Sequence, residues 1–446
     1  MKENKGITLI ALIITIILLL ILVGVSINLA IKGNLFGSAE KAVSGTNDKV
    51  AQEQTRVDEL MGKLDKVEEQ QRQQEEAEKQ KNLPGTRVTE NTKYIRDGKT
   101  AWIPKGFTVS GIKSEQSIDG GLVIYDIPEG ITVDWSNPDS VKTKYNQFVW
   151  IPVEVNKTTE PKDTETSIAS FYRAEWADNA STGGKRTTGF STDCTEPYSY
   201  DSNDYDGTGT EKTGISAQII ELTKSIYKYE GFYIGRYEAG TEKIRTEGDS
   251  QTAEFVVQQD KYPYNCVQWG KGMGDISEGA VYLSNSLYTE KTDYGVKSML
   301  CTGAAWDSML DFIKDSSHNV TSSNSWGNYK DSDTYKVYRG SIKYSSETFW
   351  IVADKPNGSS KDVTKDTSIL LTTGATERNS SKNIYDVAGN CMEWTTEANG
   401  TSHRVFRGGS YDGSGSSNPP SYRNIFSTPA SSYSYGSFRP LLYVSL

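Results

Sequence analysis

The sequence predicts an α+β protein: a loop-rich head carried on a helical stalk, behind one membrane-spanning helix. Three observations carry this reading. An uncharged apolar block lies near the start, and a proline-free run rich in Glu, Gln, Lys and Ala follows it. After that, short apolar runs alternate with clusters of Gly, Ser, Thr, Asn and Asp. At 446 residues the chain has room for two or three domains and for a sizeable core.

The apolar block runs from Ile7 to Ile31 without a charge. About 20 such residues cross a bilayer as a helix, whereas the core of a cleaved secretory signal is shorter, roughly 7 to 15 residues. Lys2 and Lys5 precede the block and Lys32 follows it, a bias toward a cytoplasmic N-terminus and an outside head.

Residues 32–83 read as the stalk. Val50, Val57, Leu60, Leu64 and Val67 fall at heptad a and d positions. A stalk that self-associates at its base and a solitary solvated helix both fit this pattern. Pro84-Gly85 ends the helix, because proline cannot continue it and glycine supplies a turn. Residues 84–91 then read as a linker and 92–446 as the head.

Within the head, Phe148-Val149-Trp150-Ile151-Pro152-Val153 and Gly231-Phe232-Tyr233-Ile234-Gly235 have the texture of short buried strands. Trp306, Met309, Leu310 and Ile313 at i, i+3, i+4, i+7 spacing predict a helix around Ala304 to Ile313. The polar stretch Ser181 to Thr213 reads as a surface insertion.

Composition excludes several functions. The net charge of −10 argues against a nucleic-acid partner, because a polyanion would be repelled. With only His318 and His403, most general-base and zinc designs are removed. Cys194, Cys266, Cys301 and Cys391 have no CxxC-type spacing and read either as buried small residues or as one or two disulfides. Ser202 to Thr213 has Asp204, Asp206 and Gly207 of a calcium loop but lacks its terminal glutamate, and reads as a solvated acidic loop. Gly270 to Gly274 lacks the strand and helix context of a phosphate loop.

Lys5-Gly6-Ile7-Thr8-Leu9-Ile10 resembles the processing site of type IV prepilins and pseudopilins. The resemblance implies a leader of residues 1–6, a cut between Gly6 and Ile7, and a single-pass location in a bacterial cell membrane. Ala11 stands where pilins usually carry glutamate, which speaks against packing into a filament.

Six stretches of the head resemble, in order, the formylglycine-generating-enzyme (sulfatase-modifying-factor) family. They are Gly231 to Glu238, Pro263 to Trp269, Trp306, Asp386-Val387-Ala388-Gly389-Asn390-Cys391-Met392-Glu393-Trp394, Arg407-Gly408-Gly409-Ser410-Tyr411, and Ser437-Phe438-Arg439-Pro440. The resemblance implies a C-type-lectin-like fold. As scaffold these residues make sense: Gly408 and Gly409 allow positive φ, and Trp394, Tyr411 and Phe438 bring large surfaces to bury. Active members bind copper through two cysteines, and the corresponding positions here are Gly413 and Asn418, neither a thiolate. A noncatalytic head is therefore expected, with a metal-dependent oxidase as the remote alternative. The asparagine and glutamate of the "GNVWEW" motif contribute to a structural calcium site in the family, which implies Asn390 and Glu393 here. No other cofactor is implied.

Between Ser410 and Ser437 lie ten Ser, four Tyr, three Gly and two Asn in 28 residues, the palette of antibody paratopes. Its framing by two scaffold motifs resembles the lectin-like targets of diversity-generating retroelements, whose C-terminal regions are rewritten at adenines. The expected contacts are Tyr411, Asn418, Tyr422, Asn424, Tyr433 and Tyr435, with an extracellular protein or glycan as partner. A fixed recognition surface and an ordinary Ser/Gly-rich loop also fit the stretch, and the competing expectation for the protein is a minor pilin or pseudopilin, a structural part of a filament.

Overall fold

The computed structural model describes residues 39–155, 171–179, 181–187, 196, 214–272, 274–337, 342–346, 348–351, 361–363, 366, 368–400 and 402–446. The membrane segment 7–31, the processing site Gly6–Ile7, Ala11, Cys194 and the acidic loop from Ser202 lie outside these residues. Among the described residues no helix is long and apolar enough to cross a membrane.

The chain divides into two units, residues 1–77 and 78–446. Helix α1 (Ala39–Asn82) begins in the first and ends in the second. Val50, Leu60 and Val67 of its heptad seam are 38%, 54% and 48% exposed.

The second unit begins earlier than expected, within the last turns of α1. There the Gln80 carboxamide donates to Lys93 O at 2.8 Å and accepts from Ile95 N at 2.8 Å. It thereby completes one edge of the hairpin Thr92–Arg96/Lys99–Ile103. Residues 84–91 are not a free linker. Gly85 N donates to Val109 O and Val88 N to Phe107 O, and Leu83 and Val88 are buried. Two apolar side chains in an otherwise polar stretch are what draw it into the head.

Two sheets organise the head, which is α+β. The larger is antiparallel, built from β1 (Thr108–Val109), β2 (Val123–Tyr125), β3 (Gln147–Pro152), β4 (Gly231–Gly235), β5 (Val296–Leu300) and β10 (Pro440–Val444), in the order β5-β10-β4-β3-β2-β1. Register aligns Met299, Leu441, Ile234, Val149 and Val123 in one row across five strands, and every member of the row is buried. Both faces are covered, so the strands read as continuous apolar runs and not as alternation. Helix α2 (Gly214–Tyr229) docks through Ser225 Oγ to Val444 O at 2.7 Å. Helix α3 (Gly279–Ser286) lies beside β5.

The second sheet has four strands: β6 (Met392–Asn399), β7 (His403–Arg407), β8 (Asn424–Ser427) and β9 (Gly436–Phe438), ordered β8-β7-β6-β9. The chain passes from this sheet to the larger one at Arg439, between β9 and β10. Its buried guanidinium is held by both Glu393 oxygens (2.9 and 2.5 Å), by Gly235 O at 2.8 Å and by Tyr385 O at 2.8 Å.

The expected helix is α4 (Gly303–Ile313). Thr302 caps it by accepting from Ala305 N, and Trp306, Met309, Leu310 and Ile313 are buried. The expected surface insertion at 181–213 is described at residues 181–187 and 196. Glu196 within it is buried, with one carboxylate oxygen accepting from Ala304 N at the start of α4 and the other from Thr396. Cys266, Cys301 and Cys391 are buried as thiols, and burial pushes the Cys301 and Cys391 thiols well above their ordinary range.

Candidate functional site

The candidate site is the serine- and tyrosine-rich stretch from Ser410 to Ser437. Gly408 and Gly409 lead into it with φ of 91° and 71°, and a Cβ on Gly409 would stand 2.1 Å from Asn418 O. Glycine is required there by both conformation and space.

The stretch is pinned to the head mainly through its backbone. Tyr411 N donates to Asn390 O at 2.9 Å, and Gly415 O accepts from Ser323 N at 2.9 Å while Gly415 N donates to Asp331 Oδ1 at 2.9 Å. The Trp306 indole donates to Pro420 O at 2.9 Å, and Ser421 N donates to Val320 O. Further along, Pro429 O accepts from Trp269 N, Tyr433 O from Cys266 N, and Tyr435 O from Met392 N. The side chains of Asp412, Ser416, Ser417, Tyr422, Phe426, Thr428 and Ala430 meanwhile face solvent. Backbone pinning does not depend on which side chain sits at a position, so outward residues can differ without loosening the loop.

Two side chains add to this: Ser414 Oγ donates to Asp331 Oδ2 at 2.7 Å, and Arg423 reaches the interior of the head. It donates to Glu397 Oε1 at 2.8 Å and to Asp307 Oδ2 at 2.6 Å, while Arg407 donates to Asp307 Oδ1 at 2.8 Å and to Glu397 Oε2 at 3.0 Å. The four side chains, from the loop, β6, α4 and β7, close a buried ring of two positive and two negative charges. Burial alone would raise both carboxyls. The Arg423 guanidinium first, and Arg407 second, hold Asp307 and Glu397 below the usual carboxylate range instead. Glu196, desolvated and beside the Glu397 charge, is pushed up to about 7.

The six expected contact residues fall into three groups. Tyr422 is exposed at 36%. Tyr433 and Tyr435 are half-buried and stacked with ring centroids 5.1 Å apart, and Asn418 and Asn424 are also half-buried. Tyr411 is corrected: at 2% exposure it packs with Leu370 and Cys391 under Tyr435 and belongs to the scaffold. A residue beneath the surface cannot make the contact expected of it. Phe426, on the edge strand β8, was not expected and is 72% exposed. A paratope-like composition directs attention to Tyr and Asn, and only the strand's position at the sheet edge reveals the phenylalanine.

Asn390 and Glu393 are engaged with hydrogen-bond donors. Asn390 Oδ1 accepts from Asn328 Nδ2 and Leu371 N, each at 2.9 Å, its Nδ2 donates to Glu238, and both Glu393 oxygens meet Arg439. Asn390 and Glu393, the residues that the family resemblance implies for calcium, are thus held in a buried hydrogen-bond and ion-pair arrangement. Among the described residues no group of three or more His, Cys, Asp or Glu side chains is placed to hold a metal ion. Beside them Asp386, desolvated by burial, is pushed up to about 7, and Glu238 is raised well above its ordinary range by burial and then by the Asp386 charge. Positions 413 and 418 are neighbours: a Cβ on Gly413 would lie 3.6 Å from Asn418 Oδ1.

The chain matches no protein-family model, and no curated protein matches it. Among solved structures it is similar to Treponema denticola variable protein 1, at 15% identity over 48% of this chain and 84% of that one, with a TM-score of 0.25.

Proposed function

We propose that this is a membrane-anchored bacterial surface protein whose lectin-like, noncatalytic head binds an extracellular protein or glycan through the 410–437 stretch. We further propose that this stretch is the variable region of a diversity-generating retroelement target. One observation carries the reading: the stretch is pinned by backbone groups and by the side chains of Ser414 and Arg423, while Tyr422, Phe426 and the exposed serines point outward. A surface that must accept many side chains on one frame needs that division. Rigid aromatics with small polar neighbours also suit a contact surface at low entropic cost. Gly413 and Asn418, at the positions matching the family's copper ligands, bring no thiolate, which supports binding without catalysis.

The test is deep sequencing of codons 410–437 across one bacterial population. Substitutions at adenines of the codons for Ser416, Ser417, Tyr422, Asn424 and Tyr433, with codons for Tyr411, Gly415, Pro420 and Arg423 unchanged, are expected. Uniform codons throughout, or changes spread equally over pinned and outward positions, would overturn the variable surface.

A further inference from the structure

We propose that α1 pairs in parallel with the α1 of a second copy of this chain, through the seam of Val50, Val57, Leu60, Leu64 and Val67. The described helix leaves much of this seam open to solvent: Val50, Leu60 and Val67 are 38%, 54% and 48% exposed, Met61 beside them is 51% exposed, and Val57 and Leu64 are half-buried. Among the described side chains of α1 no comparable apolar row faces solvent elsewhere, and Gln52, Asp58, Glu59, Asp65 and Lys66 occupy the opposite side. The seam spans about 26 Å of helix at 1.5 Å per residue, close to five turns.

The flanking charges choose the occupant and its direction. With Val50, Val57 and Leu64 at a, the g positions are Lys49, Arg56 and Lys63, all basic, and the later e positions are Glu68 and Glu75. In a parallel pair each g residue meets the partner helix's e residue of the following heptad: Lys63 meets Glu68, Arg56 meets Met61 and Lys49 meets Gln54 of the second copy, one attractive pair and no like-charged one. An antiparallel pair sets g against g and would oppose basic residues along the same stretch. Like charges so placed disfavour it. Glu53, at a d position, is an unfavourable member of the seam, and its own Arg56 stands 3.3 Å away to offset its charge. Two chains anchored in the same membrane, on the reading of residues 7–31, would also arrive side by side and parallel.

The experiment is homotypic cysteine cross-linking of the full-length chain in membranes, in a Cys194→Ser background. Single cysteines are placed in the seam (Val50→Cys, Leu60→Cys, Val67→Cys) and on the opposite side (Gln52→Cys, Glu59→Cys, Lys66→Cys). Parallel pairing predicts that mild oxidation yields a covalent dimer at all three seam positions, severalfold more than at the three outer ones. Cross-linking at a single seam position would indicate antiparallel crossing. Equal yield at seam and outer positions would indicate random collision, and no dimer would indicate a solitary helix. Each of these three results overturns the proposal. The head's fold does not enter the readout, since every substitution lies on an exposed or half-buried stalk position.

Discussion

Arg423 Nε lies 2.8 Å from Glu397 Oε1, so the middle of the serine-rich stretch is tied by charge to the interior of the head. The same guanidinium reaches Asp307 at 2.6 Å. Removing it leaves two buried carboxylates with Arg407 in the ring and, beside Glu397, Arg173 at 3.9 Å. Arg423→Ala is therefore expected to cost about 3 to 5 kcal/mol, the usual consequence of stranding a buried charge. Urea unfolding of the Arg423→Ala protein measures this, and a loss under about 1 kcal/mol would show that the ring is not what holds the loop.

Tyr411 and Tyr422 provide a paired comparison within the same stretch. Tyr411 is 2% exposed against Leu370 and Cys391, whereas Tyr422 is 36% exposed. Tyr411→Ala should lose roughly 3 to 5 kcal/mol through the cavity it leaves, while Tyr422→Ala should stay within about 0.5 kcal/mol of the parent. Thermal unfolding of the two variants checks the division into scaffold and surface. Equal losses would contradict it.

Stability should pass through a maximum in mildly acidic solution. Asp307 and Glu397 have carboxyls lowered by Arg423 and Arg407, so they favour the folded state above the ordinary carboxylate range near pH 4. That contribution is lost as pH falls below it. Glu196 and Asp386 are raised to about 7, so the folded state binds more protons than the unfolded one between about pH 4 and 7, and stability declines as pH rises through that interval. Glu196→Gln removes one of the raised carboxyls, leaving Asp386 and Glu238 among the others, while keeping an acceptor for Ala304 N. A denaturation series from pH 4 to 8 should show a shallower decline for Glu196→Gln than for the parent. An identical slope would sink the assignment.

The parts of the fold legible in the sequence are those with local or repetitive causes. Helix α4 announces itself through Trp306, Met309, Leu310 and Ile313, strands β3 and β4 through their apolar runs, and the turn at Gly408-Gly409 through the glycines it requires. What depends on distant partners is not legible. Arg423 looks like an ordinary loop arginine until Asp307 and Glu397, far away in the chain, fold against it. Glu196 sits in a polar stretch that reads as surface, yet its carboxylate ends at the start of α4. Leu83 and Val88 are too few to signal that residues 84–91 join the head. The candidate site shows the same limit: composition locates the stretch, and only burial separates Tyr411 from Tyr422.

Two glycines test the backbone reading with opposite signs. Gly409 has φ of 71°, and a Cβ there would meet the Asn418 carbonyl at 2.1 Å, so the neighbouring backbone must shift for any side chain to fit. Gly409→Ala is expected to lose more than about 1 kcal/mol, since left-handed strain and a backbone clash act together. Gly62 lies in the middle of α1, and a Cβ there would meet nothing within 4 Å. Its only effect is on helix propensity, and Gly62→Ala should raise stalk stability by about 1 kcal/mol. Thermal scans followed by circular dichroism separate the two, because the second change should raise helicity as the first lowers the melting temperature. A neutral Gly409→Ala would mean that the chain leaves β7 by another route and that the frame of the 410–437 stretch is misplaced.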